Sequence, residues 1–331
     1  MSTLTIKLID MIHKGWTLND ISSELGLSNK QIYNILRGLK LKGFDFDRKY
    51  YYSGDVVYVP RTDICPRSEN NCVNLLTSHN DSVFRAMLIS DLHAGSDCDC
   101  IFAWHQIYDY CVCNNINIII IAGDFLDGIN IGRKDCKKHC TALEQIEYAI
   151  SNYPSHKNIL NFALLGNHDI DSLLSYGIDF STYLNNFRHD IIPIGYGSGR
   201  INIKNDKILV THPLCIGVDK NLDLSGNYLL IKGHHHNARA IISGNGNCSV
   251  NVPSLSNIFL SDNVFLPGAM VLTAKFKDGY FDTVCIEQLL IKDRIYAINS
   301  LQYSITSSKD RRFDGVIKNE EEIKRRILLK K

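Results

Sequence analysis

Five short apolar runs punctuate the middle of the chain: Phe84 to Ile89, Ile116 to Ala122, Ile159 to Leu165, Lys207 to Val210 and Tyr228 to Lys232. Each is rich in β-branched or aromatic residues and too short for a core helix, which predicts buried strands. Helices are expected near Cys100 to Asn115, His139 to Asn152 and Asp171 to Phe187. Strands alternating with helices imply an α/β layered sandwich. From Arg200 onward the pattern turns to strands, as it would if a second sheet packed on the first. Every run ends in a block of metal-ligand type: Asp91-Leu92-His93, Gly123-Asp124, Gly166-Asn167-His168-Asp169, Thr211-His212 and Gly233-His234-His235-His236. In open α/β sheets ligands gather at the carboxyl ends of strands, where the loops converge.

Residues 1–61 carry a different pattern. Thr17 is placed to cap a helix, Gly26 to stop it, and Ser28 with Gln31 to form a capping box for a second helix, about Asn29 to Lys42. That helix buries Ile32, Ile35, Leu36 and Leu39 and carries Lys30, Arg37, Lys40 and Lys42 with no acid. Beyond it, FDFDRKYY and VVYVP flank Ser53-Gly54-Asp55, a hairpin pattern. The arrangement resembles the winged helix-turn-helix of many transcription factors, whose second helix enters the major groove. The four cations are therefore candidate nucleic-acid contacts, although the same geometry also serves as protein-interaction scaffolding. Tyr50, Tyr51 and Tyr52 could stack on bases or pack on a sheet face.

Residues 62–82 are polar and rich in Asn and Ser, as in a linker. The domains expected are thus a winged helix at 1–61, a catalytic domain at 83–305 and a basic, helical tail at 306–331, whose acids lie at its start and bases at its end.

Composition narrows the setting. The 36 basic and 35 acidic residues nearly cancel, but residues 1–61 hold nine Lys or Arg against six Asp or Glu. Eleven cysteines, an odd number, and a start without an apolar leader suggest a reduced, intracellular and cytoplasmic protein. No apolar stretch approaches membrane-spanning length. Cys111 and Cys113 sit two apart on a predicted helix, on different faces, which argues against a zinc site with Cys98 and Cys100.

The ordered blocks D-L-H (Asp91, His93), G-D-x-x-D (Asp124, Asp127), G-N-H-D (Asn167, His168, Asp169), T-H (His212) and G-H-x-H (His234, His236) resemble the calcineurin-like metallophosphoesterase superfamily over about residues 83 to 275. The resemblance implies a four-layer sandwich of two mixed sheets flanked by helices. It also implies two divalent metal ions, one held by Asp91, His93, Asp124 and His236 and the other by Asp124, Asn167, His212 and His234. Mixed carboxylate, imidazole and carboxamide donors suit manganese first, and iron or zinc next. Two such cations can hold a hydroxide for in-line attack on phosphorus. In this scheme His168 acts as general acid with Asp169 keeping it oriented and protonated, and Asp127 orients a ligand histidine from behind.

The expected function is hydrolysis of phosphodiester bonds in nucleic acid, DNA ahead of RNA, with a homodimer or a partner subunit compatible. Gly128 after Asp127, and Asp169 where protein phosphatases of the superfamily have Glu, favour this reading over a protein phosphatase. A small-molecule phosphatase or phosphodiesterase, with the first domain as an assembly module, is the alternative. A scaffold that keeps the fold without catalysis, like the small subunits of some DNA polymerases, is a third, and retention of the full ligand set argues against it. Arg188, Arg200 and Arg239 are possible phosphate contacts, and isolated histidines such as His189 read as ordinary surface or core residues.

Overall fold

The computed structural model describes residues 3–44, 46–60, 71–78, 81–131, 139, 141–214, 228–242, 248–260 and 263–304. The expected tail at 306–331 and most of the expected linker lie outside them. Three helices, α1 (Thr3–His13), α2 (Leu18–Leu25) and α3 (Asn29–Lys40), lead into strands β1 (Phe46–Tyr51), β2 (Val56–Pro60) and β3 (Cys72–Leu76). Then follow β4 (Val83–Ile89), α4 (Ile101–Cys113), β5 (Ile118–Ala122), α5 (Ala142–Asn152), β6 (Leu160–Leu165), α6 (Asn167–Tyr176), α7 (Phe180–Phe187) and β7 (Ile191–Tyr196). The rest is strand: β8 (Ser198–Ile203), β9 (Asp206–Thr211), β10 (Tyr228–Lys232), β11 (Arg239–Ile242), β12 (Cys248–Asn251), β13 (Ile258–Leu260), β14 (Asn263–Phe265), β15 (Gly268–Lys277), β16 (Tyr280–Ile291) and β17 (Ile295–Ser304).

Two mixed sheets form the body. One has the order β17-β16-β15-β4-β5-β6-β7, with β4 to β7 parallel. The other runs β11-β12-β10-β9-β8-β3-β1-β2. Alternation along each central strand feeds two cores, because successive side chains leave opposite faces. Phe84, Ala86 and Leu88 of β4, Ile118 and Ile120 of β5, and Phe162 of β6 join Ile201, Ile208 and Ile231 of the second sheet. Their neighbours Met87, Ile89, Ile119, Ile121 and Ala163 face Trp104, Ile107, Ile146 and Leu184 of α4, α5 and α7. Strands buried on both faces explain why the sequence shows continuous apolar runs there rather than alternation.

Two expectations need correction, and one reading left open is decided. Residues 72–76, inside the expected linker, form β3, which pairs in parallel with both β8 and β1. The β1–β2 hairpin therefore extends the second sheet, and Leu8, Ile12, Ile21, Ile32 and Leu36 of the helices share one apolar core with it. Polar Asn and Ser dominate that window, and they mask a strand of only five residues. Tyr50 and Tyr52 pack edge-on against Phe162 and at a tilt against Phe84, so two of the three candidate stacking tyrosines are committed to the core. Finally, the single helix expected over Asp171 to Phe187 is two: α6 ends at Gly177, at φ 67°, and Asp179 caps α7 through its bond from Ser181 N–H.

The amino-terminal caps form as expected. Thr17 Oγ1 accepts from Asp20 N–H, Gly26 adopts φ 61°, and Ser28 and Gln31 bond reciprocally. The second helix stops at Lys40, which leaves Lys42 in the turn beyond it. Its outer face does not stand free. Tyr33 stacks on His189 with ring centroids 3.5 Å apart and donates to the Asn185 carbonyl at 2.9 Å, and Arg48 Nη2 reaches Asn185 Oδ1 at 3.3 Å.

Candidate metal centre

The blocks converge at the carboxyl ends of β4, β5, β6, β9 and β10. Asp91 and His93 follow β4, Asp124 follows β5, Asn167 and His168 open α6 after β6, His212 follows β9, and His234 and His236 follow β10. The turns are tight. Asp91, His93, Asp124, His234 and His236 all have positive φ, between 47° and 76°, a region costly for residues with a Cβ. Five candidate donors holding that conformation together mark a site whose surroundings over-determine it. Two motif glycines are fixed by space: a Cβ on Gly123 would lie 2.2 Å from His212 Nδ1, and one on Gly233 would lie 2.1 Å from the Ala122 carbonyl oxygen.

Among the described residues the side chains form three groups whose ligand atoms lie within 4.8 Å of one another, Asp91 with His93 and His236, Asp124 with His212 and His234, and His93 with Asp127 and His168. Asp91 Oδ1 is 3.1 Å from His236 Nε2, and His236 Nε2 is 3.5 Å from His93 Nε2. Asp124 Oδ2 is 2.9 Å from His212 Nε2, and Asn167 Oδ1 lies 3.1 Å from the same nitrogen. His212 donates through Nδ1 to the Ala122 carbonyl at 2.7 Å, which leaves Nε2 as the free donor atom. Asn167 thus lies beside the second group, Asp124 clusters with that group alone, and His93 also comes together with Asp127 and His168.

Whether these residues fit divalent cations can be tested on what they lack. Among the described residues Asp91 Oδ1 and His93 Nδ1 are buried without a well-aligned hydrogen-bond partner, although such atoms are ordinarily satisfied. Buried carboxylates crowded with imidazoles are a donor set for borderline divalent metals, and the residues fit. The charges lean the same way. Burial opposes ionisation of Asp124, but His212 and His168 outweigh it and hold the carboxyl well below its ordinary range. Burial likewise opposes protonation of His212, and the Asp124 carboxylate overcomes it, raising the ring to about 9.

His168 sits on the first turn of α6. Its backbone N–H donates to Asp124 Oδ1 at 2.9 Å. The imidazole donates through Nδ1 to the Asp127 carbonyl at 2.5 Å, leaving Nε2 directed to the site, 3.9 Å from Asp124 Oδ2. Burial pushes its pKa down against the pull of Asp124. Asp169 does not hold this ring, contrary to the expectation. Its carboxylate accepts from the N–H groups of Gly166 (2.8 Å), Leu126 (2.8 Å) and Phe125 (3.1 Å), so it ties the turn after β6 to the loop after β5. Burial beside Asp124 lifts it to about 7. Asp127, by contrast, lies 3.4 Å from His93 Nδ1, behind the ring, where an orienting partner belongs.

Several supporting residues escaped sequence reasoning. Ser254 Oγ donates to the Asp91 carbonyl at 2.9 Å, and Asp171 accepts from Ile129 and Asn130 N–H, fixing the loop after Asp127. Gln145, buried in the apolar stripe of α5, donates to the carbonyls of Gly128 and His139. A polar residue at a core position was the available signal for it. Of the arginines, Arg188 is buried and occupied by Asp190 and by the carbonyls of Ile150, Tyr153 and Pro154, which removes it as a phosphate contact. Arg200, Arg239 and His235 are exposed. So are Lys30, Arg37, Lys40 and Lys42.

Among known proteins, the sequence pattern of the calcineurin-like phosphoesterases matches residues 84–295. No curated protein sequence is significantly similar to the chain. Among solved structures it is similar to the phosphoesterase Yfce of E. coli, at 18% identity over 67% of this chain and 100% of that one, with a TM-score of 0.43. It is also similar to a dimetal phosphatase from Danio rerio, at 10% identity over 68% of this chain and 100% of that one, with a TM-score of 0.42. A third is the nuclease MPE of Pseudomonas putida, at 13% identity over 77% of this chain and 100% of that one, with a TM-score of 0.34.

Proposed function

We propose that this chain, which belongs to the calcineurin-like phosphoesterase family, hydrolyses phosphodiester bonds in nucleic acid, with the helices and hairpin of residues 1–60 serving as a winged helix-turn-helix. The observation that carries hydrolysis is the convergence of these donors at the carboxyl ends of strands from both sheets, with His168 Nε2 beside them. Asp91, His93 and His236 would hold one divalent cation, and Asp124, Asn167, His212 and His234 the other, with Asp124 shared and manganese preferred. When bound, the two cations would polarise the phosphoryl oxygens and activate water.

The chain's own residues then do three things. The first turn of α6 lies at the site with its His168 N–H on Asp124 Oδ1, and the positive end of its dipole favours an anionic phosphoryl group there. Asp169 ties the loops after β5 and β6 together, and Asp127 sits behind the His93 ring, so that the donors keep their strained turns. His168, anchored at Nδ1, takes a proton at Nε2 as the negatively charged diester approaches and gives it to the departing oxygen when the phosphorus–oxygen bond breaks.

Nucleic acid as substrate is supported by α3, whose cations Lys30, Arg37 and Lys40, with Lys42 in the turn after it, carry no acid among them. The test is to incubate the manganese-loaded chain with labelled single-stranded DNA, duplex DNA and RNA, with bis-p-nitrophenyl phosphate, and with nucleoside monophosphates. Cleavage of the polymers and of the chromogenic diester is expected. Turnover of monophosphates alone would favour the small-molecule reading.

A further inference from the structure

We infer that the cleft between α3 and α7 is a second oxyanion site, built to hold a phosphate group of a nucleotide or of a nucleic-acid strand, with no residue in common with the metal centre. This goes beyond the proposed reaction and does not depend on which ester is cleaved. The cleft, about 290 Å³, is lined by Tyr33, Arg37 and Lys40 of α3, Arg48 and Tyr58 of the hairpin, and Asn185 and Asn186 of α7.

Its donors come from three elements whose geometry the sequence sets. Positions 33, 37 and 40 fall on one stripe of α3, since residues three and four apart are neighbours on a helix. Arg48 and Tyr58 are register partners across β1 and β2, so their side chains leave the same face of the sheet. Asn185 and Asn186 close the opposite wall. Its Oδ1 taken by Arg48 and its amide by the Ser181 carbonyl, Asn185 holds the guanidinium in place rather than offering a donor.

Two features suit an anion. Tyr58 is only 5% exposed and lines the cleft. Burial lifts it to about 12, which keeps it a proton donor at ordinary pH. Arg48 is half-buried beneath the rim cations, with Asn185 Oδ1 and the face of Tyr50, at 5.8 Å, as its neighbours, and among the described residues no carboxylate forms an ion pair with it. A guanidinium withdrawn from water without a counter-ion is costly, and planar fork geometry makes phosphate its natural partner. Asn186 adds an amide to the lining. Three cations, a hydroxyl and an amide without one acid form a lining that selects oxyanions and disfavours cations and neutral ligands.

The full chain can be titrated calorimetrically with inorganic phosphate, with a nucleoside 5′-monophosphate and with a short oligothymidylate, alongside Lys40→Ala, Arg48→Gln and Tyr58→Phe. The metal centre is the same in all four proteins, so differences among them report the cleft. Loss of a charged hydrogen bond predicts roughly tenfold or greater weakening in Arg48→Gln, with smaller weakening in Lys40→Ala and Tyr58→Phe. Tyr58→Phe removes a single oxygen and decides the matter should Arg48→Gln fail to fold. Variant-sensitive binding of phosphate or the mononucleotide identifies a small phosphate ester as the ligand, and variant-sensitive binding of the oligothymidylate alone identifies strand phosphate. No binding of any probe, or identical affinity and stoichiometry in wild type, Lys40→Ala and Tyr58→Phe, would overturn the inference.

Discussion

Tyr33 of the third helix lies on His189, just past the seventh, with ring centroids 3.5 Å apart and planes 27° from parallel. This stack joins the amino-terminal helices to the phosphoesterase body, and it depends on the charge of the histidine. Among the described residues His189 Nδ1 is buried without a hydrogen-bond partner, and burial, with Arg48 and Lys30 adding repulsion, lowers the ring to about 4. The folded value lies below the unfolded one, near 6.5, so as pH falls the unfolded chain takes up the proton first. The contribution of neutral His189 is complete above about pH 6.5 and is lost progressively as pH falls toward 4. Thermal melts of wild type and His189→Gln should therefore converge between those values. Parallel melting curves across that window would show that His189 does not titrate there.

Asp169 was expected to serve the chemistry and instead serves the architecture. Its carboxylate satisfies three buried N–H groups, those of Gly166, Leu126 and Phe125. Asp169→Ala leaves all three unpaired, at about 1–3 kcal/mol for each buried group left unsatisfied, so a large drop in melting temperature is expected. Asp169→Asn retains an acceptor oxygen and should recover much of the stability. Equal stability of Asp169→Ala and wild type would contradict this role.

His168 should behave differently, because its imidazole contacts only the Asp127 carbonyl and the edge of the donor cluster. His168→Ala is expected to lower the rate of diester cleavage about 10²- to 10⁴-fold, the range for a positioned proton donor. Its melting temperature and its bound metal, measured by elemental analysis, should stay near wild type. Loss of metal in that variant would make His168 a ligand.

Asp124 occupies the opposite extreme. It faces His212 Nε2 at 2.9 Å through one oxygen and takes the His168 N–H through the other. Asp124→Ala should abolish diester cleavage and reduce metal content. Full cleavage by that variant in excess chelator would refute the two-metal assignment.

The contrast between these residues separates what is legible in the chain from what is not. Strand-end donors are legible because a buried apolar run followed at once by Asp or His sets a metal-type ligand where loops converge, and here Asp91, His93 and His236 cluster, as do Asp124, His212 and His234. What Asp169 does was hidden, since motif position does not say whether a carboxylate turns to a ring or to backbone N–H groups. The joining of the two modules was hidden as well. β3 is five residues long in a polar window, and its pairing with β8 spans well over a hundred positions that no local pattern encodes. Tyr33 and His189, ordinary residues in the sequence, become partners only once that pairing brings α3 against α7.

That docking bears on how nucleic acid could be bound. Lys30 lines a cleft with His189 and Asp190, and Arg37 and Lys40 line the next with Asn185, so the basic stripe of α3 borders the phosphoesterase body rather than standing clear of it as a groove-reading helix would. Contacts from this stripe would be with strand phosphates, which neutralise charge without reading bases. Binding by the full chain, measured with metal withheld so that the strand stays intact, should then weaken steeply with salt, at a log–log slope of roughly −0.9 per phosphate neutralised on duplex DNA and about −0.7 on single strands. Lys30→Glu and Lys42→Glu, at the two ends of the stripe, should each flatten the slope by about one contact and weaken all sequences alike. Salt-insensitive binding, or slopes unchanged in both variants, would assign the amino-terminal helices to assembly and leave substrate capture to the metal centre alone.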